Sequence, residues 1–166
     1  MTSGSTRDLA VPTADDMQAV GAVIGSTCRG GDVLVLSGDL GAGKTTFTQG
    51  LARGLGIDER VTSPTFVISR VHVNPAGGPD LVHVDAYRVG SVLELDDLDL
   101  DADLATSVVV VEWGGGLAER LSEDRLDIVI TRSDDDADEQ RLMRMTAHGS
   151  RWQEAVDGEL LARGTR

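Results

Sequence analysis

The chain has 166 residues, 40% of them hydrophobic, so it is long enough for one domain with a buried core and too short for two. The 28 Asp and Glu residues outnumber the 15 Lys and Arg residues, which gives a formal net charge of −13. Such a surface repels phosphate backbones, so we expect no independent nucleic-acid binding. The single cysteine, Cys28, excludes an internal disulfide, and no segment is apolar enough for a bilayer. These features together predict a cytoplasmic protein without membrane contact.

The first predicted elements follow a short polar tail. Residues 1–9 lack a long apolar run and are rich in Ser, Thr and Gly, so we expect a disordered tail followed by a single domain over 10–166. Thr13 is the predicted N-cap of an amphipathic helix over 14–28. The apolar, β-branched run at 32–37 is typical of a strand that is buried on both faces of a parallel sheet.

A glycine-rich loop, 38–45, follows this strand and leads into a predicted helix that ends before Gly56. The loop reads GDLGAGKT, a glycine, four residues, a glycine, the only lysine of the chain (Lys44) and a hydroxyl residue. In this strand-to-helix context the pattern indicates a phosphate-binding P-loop. Glycines let backbone N–H groups approach phosphate oxygens, Lys44 adds a full positive charge, and the Thr45 hydroxyl suits Mg²⁺.

The remainder of the chain alternates strands and loops. The patterns predict a hairpin of strands 66–73 and 80–84 around a turn at 74–79, a helix over 91–105, strands at 108–111, 126–131 and 141–147, and a closing helix over 150–162. This order predicts an α/β fold, namely a three-layer P-loop NTPase sandwich. It should have a mainly parallel central sheet, helices on both sides and an antiparallel extension from the hairpin and C-terminal strands.

Two acids at predicted strand ends are candidates for metal-dependent chemistry. Asp85 follows LVHV and Glu112 follows VVVV, and a magnesium ion between phosphates usually needs a carboxylate at such a position. The more continuous apolar run before Glu112 favours a place beside the loop strand. Asp85 would then polarise the attacking water or hold the ion through a water. The residues alone leave the order of the two open.

Other candidates are weaker. Ser63 and Thr65 flank a proline in a loop that commonly covers the γ-phosphate in this architecture, so we expect a switch-like loop. Arg88 and Trp113 are candidate pocket or partner contacts because each stands close to one of the acids. The three histidines lack metal-site spacing and are assigned structural or surface roles; they are His72, His83 and His148.

Four stretches together resemble the TsaE family, the bacterial ATPases of tRNA threonylcarbamoyladenosine biosynthesis. They are GDLGAGKTTF (38–47), TSPTF (62–66), HVDAYR (83–88) and VEW (111–113). The resemblance covers about residues 11–130 and implies a small ATPase that joins TsaD and TsaB, of which TsaD transfers a threonylcarbamoyl group to adenosine 37 of tRNA. At the position of Met17 the family often has a threonine near the base or ribose.

The resemblance also implies roles for single residues. Lys44, Asp85 and Glu112 would be catalytic, with Asp85 needed for hydrolysis and Glu112 the first choice for the metal. Thr45 and Glu112 would coordinate Mg²⁺. ATP would be held by the loop residues and the start of the following helix, namely Gly41, Ala42, Gly43, Lys44, Thr45 and Thr46.

Three alternatives to this interpretation would use the same P-loop. A GTPase is disfavoured because guanine recognition by an Asn-Lys-x-Asp segment would need a second lysine. A small-molecule kinase shares the loop, but such kinases usually carry an arginine-rich lid, and here Arg60, Arg70 and Arg88 form no clear one. A nucleotide-gated adaptor with little turnover would use the acidic segment 94–103 as an interaction surface.

Overall fold

The computed structural model describes residues 5–39, 41–58, 60–61, 69–85, 105–112, 123–135 and 137–157. These contain seven strands and three helices. In chain order they are β1 (Thr6–Val11), α1 (Ala14–Thr27), β2 (Val33–Ser37), α2 (Lys44–Leu55), β3 (Ser69–His72), β4 (Asp80–Asp85), β5 (Ser107–Glu112), β6 (Arg125–Arg132), β7 (Arg141–His148) and α3 (Ser150–Asp157). None of the helices in these ranges has the length and apolarity to cross a bilayer.

All seven strands form one sheet in the order β1-β7-β6-β2-β5-β4-β3. Strand β2 pairs in parallel with β5 and β6, and β4 pairs in parallel with β5. The β3–β4 hairpin and the β6–β7–β1 segment add antiparallel strands on the two flanks. This topology confirms the predicted α/β sandwich, with a parallel centre and an antiparallel extension built from the hairpin and the C-terminal strands.

The centre of the sheet is buried on both faces. On one face Leu34, Leu36 and Val110 belong to a hydrophobic core that also includes side chains from all three described helices. On the other face Val35 and Val109 are buried as well. Since adjacent residues of a strand point to opposite faces, a fully apolar strand is the expected pattern for β2 and β5. The sequence therefore identified the two central strands correctly.

Helices α1 and α2 pack through glycines. A Cβ atom on Gly21 or Gly25 of α1 would collide with the backbone of α2, and one on Gly50 or Gly54 of α2 would collide with the backbone of α1. Without side chains at these positions the two helix backbones approach closely. The predicted N-cap is confirmed, because the Thr13 hydroxyl accepts a hydrogen bond from Asp16 N–H at 3.2 Å. This packing brings the start of α1 next to the start of α2.

The prediction of a disordered tail over residues 1–9 is wrong for Thr6 to Leu9, which form edge strand β1 with the two residues that follow. In this strand only Leu9 and Val11 are buried. An edge strand with one covered face needs few apolar residues, and its partner β7 lies at the other end of the chain. Local composition therefore carries little signal for it.

Several predicted elements lie wholly or partly outside the described residues. These are the helix over 91–105, residues 66–68 of the first hairpin strand and residues 158–162 of the closing helix. The described part of the hairpin strand is β3, which ends at His72, one residue before the predicted boundary.

Candidate functional site

The glycine-rich loop joins β2 to α2 at the carboxyl ends of the parallel strands, as the sequence predicts. Gly41 and Gly43 have φ angles of 78° and 113°, in the left-handed region that other residues rarely adopt. Gly43 is the N-cap of α2 and has no side chain with which to satisfy the first N–H groups of the helix. Those groups and the positive end of the helix suit an anion. Leu40 lies outside the described residues.

Lys44 is the first residue of α2 and is only 8% exposed. Its Nζ donates hydrogen bonds to the carbonyl oxygens of Gly38 at 2.6 Å and Asp39 at 3.1 Å. Burial lowers the pKa of Lys44, while the negative charges of Glu112, Asp39 and Asp85 oppose that shift. The ammonium group is thus held at the loop, within the electrostatic field of both candidate acids.

Glu112 and Asp85 end adjacent parallel strands and are register partners of each other. Glu112 also pairs with Leu36 of β2, so its strand lies directly beside the strand that precedes the loop. This confirms the order that the more continuous apolar run favoured, with Asp85 one strand further away. Both carboxylates are buried, at 4% and 9% exposure. Two buried acids near a buried lysine form a polar cluster at the end of an apolar sheet, which is the usual setting of a functional site.

A third side chain, that of His83, joins this cluster. The sequence patterns predict only a structural or surface role for it. The His83 ring is fully buried on β4, and its Nε2 lies 3.1 Å from Glu112 Oε1. His83 and Asp85 are two residues apart on one strand, so their side chains point to the same face of the sheet. That alternation was the signal available in the sequence. The contact with Glu112 on β5 could not be predicted from the sequence, because Glu112 is 29 residues from His83 along the chain.

The donor set around the loop suits a hard cation. Thr45 is partly exposed in the first turn of α2 and offers a hydroxyl oxygen, while Glu112 and Asp85 offer carboxylate oxygens. Within the described ranges, no three His, Cys, Asp or Glu residues are grouped closely enough to hold a metal ion by themselves. Mg²⁺ is usually bound by one or two protein oxygens together with phosphate oxygens and waters. These residues therefore fit Mg²⁺ that arrives with a phosphorylated ligand.

A cavity of about 150 Å³ adjoins the loop on the side of α1. Its lining comes from the start of α1, the loop and the β6–β7 connection, and consists of Thr13, Ala14, Met17, Gly41, Ala42, Gly43, Thr46, Glu139 and Arg141. Arg141 fixes one wall, because its Nε donates to the Ala42 carbonyl oxygen at 3.2 Å. Sequence reasoning missed Arg141 and Glu139, since 99 residues separate Arg141 from Ala42.

Four candidate residues lie outside the described residues. They are Ser63 and Thr65 of the predicted switch-like loop, together with Arg88 and Trp113. Their assignments stay predictions. The candidates that the structure brings together are Lys44, Asp85 and Glu112, with Thr45 and Thr46 at the start of α2.

Comparison with known proteins matches this fold and loop to one family. The family described as threonylcarbamoyl adenosine biosynthesis protein TsaE matches residues 11–143. The tRNA threonylcarbamoyladenosine biosynthesis protein TsaE of Streptomyces coelicolor is 54% identical over 138 residues, which cover 82% of this chain and 93% of that protein. The protein of the same name from Bacillus subtilis is 42% identical over 140 residues, 84% of either chain.

A solved structure agrees with these sequence matches. The crystal structure of YdiB from Bacillus subtilis has a TM-score of 0.76 to this chain at 33% identity, and the match covers 98% of this chain and 99% of that one. The match therefore extends over nearly the whole length of both chains. The chain therefore belongs to the TsaE family, whose members act in the biosynthesis of threonylcarbamoyladenosine in tRNA.

Proposed function

We propose that this protein is a Mg²⁺-dependent ATPase that supports threonylcarbamoyl transfer to adenosine 37 of tRNA by a TsaD–TsaB complex. The observation that carries the proposal is the position of Lys44. The only lysine of a strongly acidic chain is buried between a glycine-rich loop and two carboxylates at the carboxyl edge of a parallel sheet. With a net charge of −13, the protein attracts a triphosphate only where such a local cationic site exists.

The loop binds the phosphates in this proposal. Lys44 Nζ exchanges its bonds to the Gly38 and Asp39 carbonyl oxygens for bonds to the β- and γ-phosphates, so the cost of its burial is offset in the complex. The exposed N–H groups at Gly43 and the first turn of α2 bind the same oxygens. The Gly41, Ala42 and Thr46 backbone completes the cradle.

Thr45 and Glu112 would hold the metal ion. When bound, Mg²⁺ would offset the negative charge between the β- and γ-phosphates. Asp85, one strand further out than Glu112, orients the water that attacks the γ-phosphate. The two carboxylates keep separate roles because only Glu112 stands on the strand next to β2.

The cavity beside the loop holds the nucleoside end of ATP. It lies between Thr13 and Met17, at the start of α1, and residues Ala42, Gly43 and Thr46, next to the loop that binds the phosphates in this proposal. Met17 lies against Gly43, since its Cε would be 3.3 Å from a Cβ placed there. The thioether and methylenes of Met17 provide an apolar contact where the family often has a threonine.

Steady-state release of phosphate from ATP tests the function. We expect slow turnover by the protein alone and a clear increase when TsaD and TsaB are added, with both rates abolished by EDTA. Lys44→Ala should abolish both. If the increase failed to appear with active TsaD and TsaB, the assignment to that complex would be wrong.

The same assay separates the alternatives. A small-molecule kinase would consume ATP in proportion to an added small acceptor and would need no protein partner. A nucleotide-gated adaptor would bind its partners in an ATP-dependent manner, yet would release phosphate at the same low rate with and without them. Either result would replace the ATPase proposal.

A further inference from the structure

The contact between His83 and Glu112 carries an inference of its own. His83 is fully buried, and Nε2 lies 3.1 Å from Oε1 of a carboxylate that is itself 4% exposed. The other ring nitrogen, Nδ1, is also buried and has no hydrogen-bond partner among the described residues. One nitrogen of this ring therefore lies within hydrogen-bond distance of Glu112, and the other has no partner among the described residues.

This asymmetry selects one tautomer. A proton on Nδ1 would be a buried N–H group without an acceptor, and the Nε2 lone pair would then face a carboxylate oxygen. The tautomer with its proton on Nε2 avoids both costs and donates a hydrogen bond to Glu112 Oε1.

The strand register shows what this hydrogen bond does to Glu112. In the strand register His83 pairs with Val110, which precedes Glu112 by two residues on β5. The His83 ring therefore approaches the Glu112 carboxylate from the N-terminal side, away from the carboxyl end of β5. With Oε1 held there, Oε2 is the oxygen left for a cation at the strand end. A glutamate has three rotatable side-chain bonds, and fixing the carboxylate removes motion that ion binding would otherwise have to suppress.

We propose that His83 is a positioning residue of the nucleotide site, which holds Glu112 in the orientation that binds Mg²⁺ and does not itself touch the nucleotide. The proposal rests on the proposed function, in which Glu112 is a metal ligand. Buried partners of metal ligands typically contribute 10- to 100-fold to metal affinity, roughly the range expected here.

The test compares two substitutions of nearly equal length. His83→Gln keeps an N–H donor close to the place of Nε2, and His83→Met fills the same space without a donor. We expect His83→Met to raise the Mg²⁺ concentration that half-saturates binding of a non-hydrolysable ATP analogue by about 10-fold, while binding in EDTA stays unchanged. His83→Gln should recover most of the loss. Equal values for both variants would overturn the proposal.

His72 provides a matched control. It is also fully buried, but it pairs with Leu81 near the start of β4, whereas Glu112 pairs with Asp85 at the end of that strand. We expect His72→Met to alter the melting temperature and to leave the Mg²⁺ dependence as in the wild type. If His72→Met shifted the Mg²⁺ dependence as much as His83→Met, the effect would be one of general destabilisation and the proposal would fail.

A second measurement, NMR of the histidine rings in the wild-type protein, needs no nucleotide. In ¹⁵N-histidine-labelled wild-type protein, the two-bond couplings within each ring distinguish a proton on Nε2 from one on Nδ1. The chain has three histidines, and the spectrum of His83→Gln assigns the ring that is lost. We expect the Nε2–H form for His83. An Nδ1–H form would contradict the proposal even if the protein binds Mg²⁺-nucleotide normally, whereas wild-type protein that shows no Mg²⁺-dependent nucleotide binding would overturn the proposed function itself.

Discussion

Two buried carboxylates at opposite ends of the central strands have different partners. Asp32, just before β2, is 6% exposed, and its Oδ2 accepts hydrogen bonds from Arg151 Nη2 and Arg29 N–H, each at 2.9 Å. Glu112, at the end of β5, is equally buried and is bonded by the His83 ring. At the first end a cation cancels the negative charge. At the second end the ring hydrogen bond holds the carboxylate, whose charge attracts Lys44.

The cations at the two ends, Arg151 and Lys44, also have different partners. The Arg151 guanidinium bonds to Asp32, donates to the Thr27 carbonyl oxygen at 2.7 Å and stacks 4.9 Å from the Trp152 ring centre. Lys44 donates to the Gly38 and Asp39 carbonyl oxygens of the loop. The Arg151–Asp32 pair stabilises the fold. Lys44 is hydrogen-bonded to the loop and is also attracted by the negative charges of Glu112, Asp39 and Asp85. We propose that the Lys44 end of the sheet, where the glycine-rich loop leads into α2, is the functional end.

The largest effect is expected from removing the cation at the functional end. Lys44→Ala should weaken nucleotide affinity by about 100-fold, the equivalent of ~3 kcal/mol from two charge-assisted hydrogen bonds to phosphate. Isothermal titration with a non-hydrolysable ATP analogue measures it. Arg53→Ala removes an exposed cation from the last turn of the same helix and should leave the affinity unchanged. Comparable losses in both variants would indicate a general charge effect.

The next largest effect distinguishes the roles of Glu112 and Asp85. Glu112→Gln should weaken the Mg²⁺-dependent part of nucleotide binding by about 10-fold, because it removes a charged metal ligand. Asp85→Asn should lower kcat by about 100-fold and leave binding nearly intact, because it removes the group that orients the water. Binding titrations with and without Mg²⁺, combined with turnover rates, distinguish the two. The reverse pattern would exchange the roles of Asp85 and Glu112.

At the Asp32 end of the sheet the expected effect is on the free energy of unfolding alone. Asp32→Asn should lower the free energy of unfolding by about 2 kcal/mol, because it breaks a buried hydrogen-bonded charge pair and leaves Arg151 without its counter-charge. Urea denaturation measures this loss, with the exposed Asp58→Asn as control. Nucleotide affinity of the folded variant should equal that of the wild type. A large loss of affinity would show that the two ends are coupled.

The smallest effect concerns an exposed ion pair on the sheet edge. The hydrogen bond from Arg144 Nε to Asp8 Oδ1, at 2.8 Å, lowers the pKa of Asp8 below 3.8. A depressed carboxylate pKa stabilises the fold above the unfolded value and loses that contribution as the pH falls through the folded value. The difference in urea midpoint between wild type and Asp8→Asn should therefore shrink below about pH 4 and at high salt. A difference independent of pH would exclude the ion pair as its cause.

Sequence and structure agree most closely where the relevant residues are neighbours in the chain. The loop, its lysine and the helix that begins at Lys44 form one continuous segment, so their spacing alone indicates an anion site. The apolar runs before Asp85 and Glu112 also placed both acids at the ends of central strands, as found. Strand β1 was missed because its two buried residues look unremarkable until β7 is placed beside them.

The partners of the site residues could not be predicted for the same reason. Whether His83 is an ordinary buried residue or a hydrogen-bond donor to Glu112 depends on which strand lies next to β4. Likewise, Arg141 reaches Ala42 only because β7 and the loop meet at one edge of the sheet. No pattern within a short window contains this information.

The sequence by itself determined the fold class and predicted the chemistry of the loop, because both depend on local spacing and on runs of apolar residues. The tertiary structure decided which partner each buried carboxylate has. That outcome depends on contacts between segments far apart in the chain, which give the buried carboxylate of Asp32 an arginine partner and that of Glu112 a histidine partner.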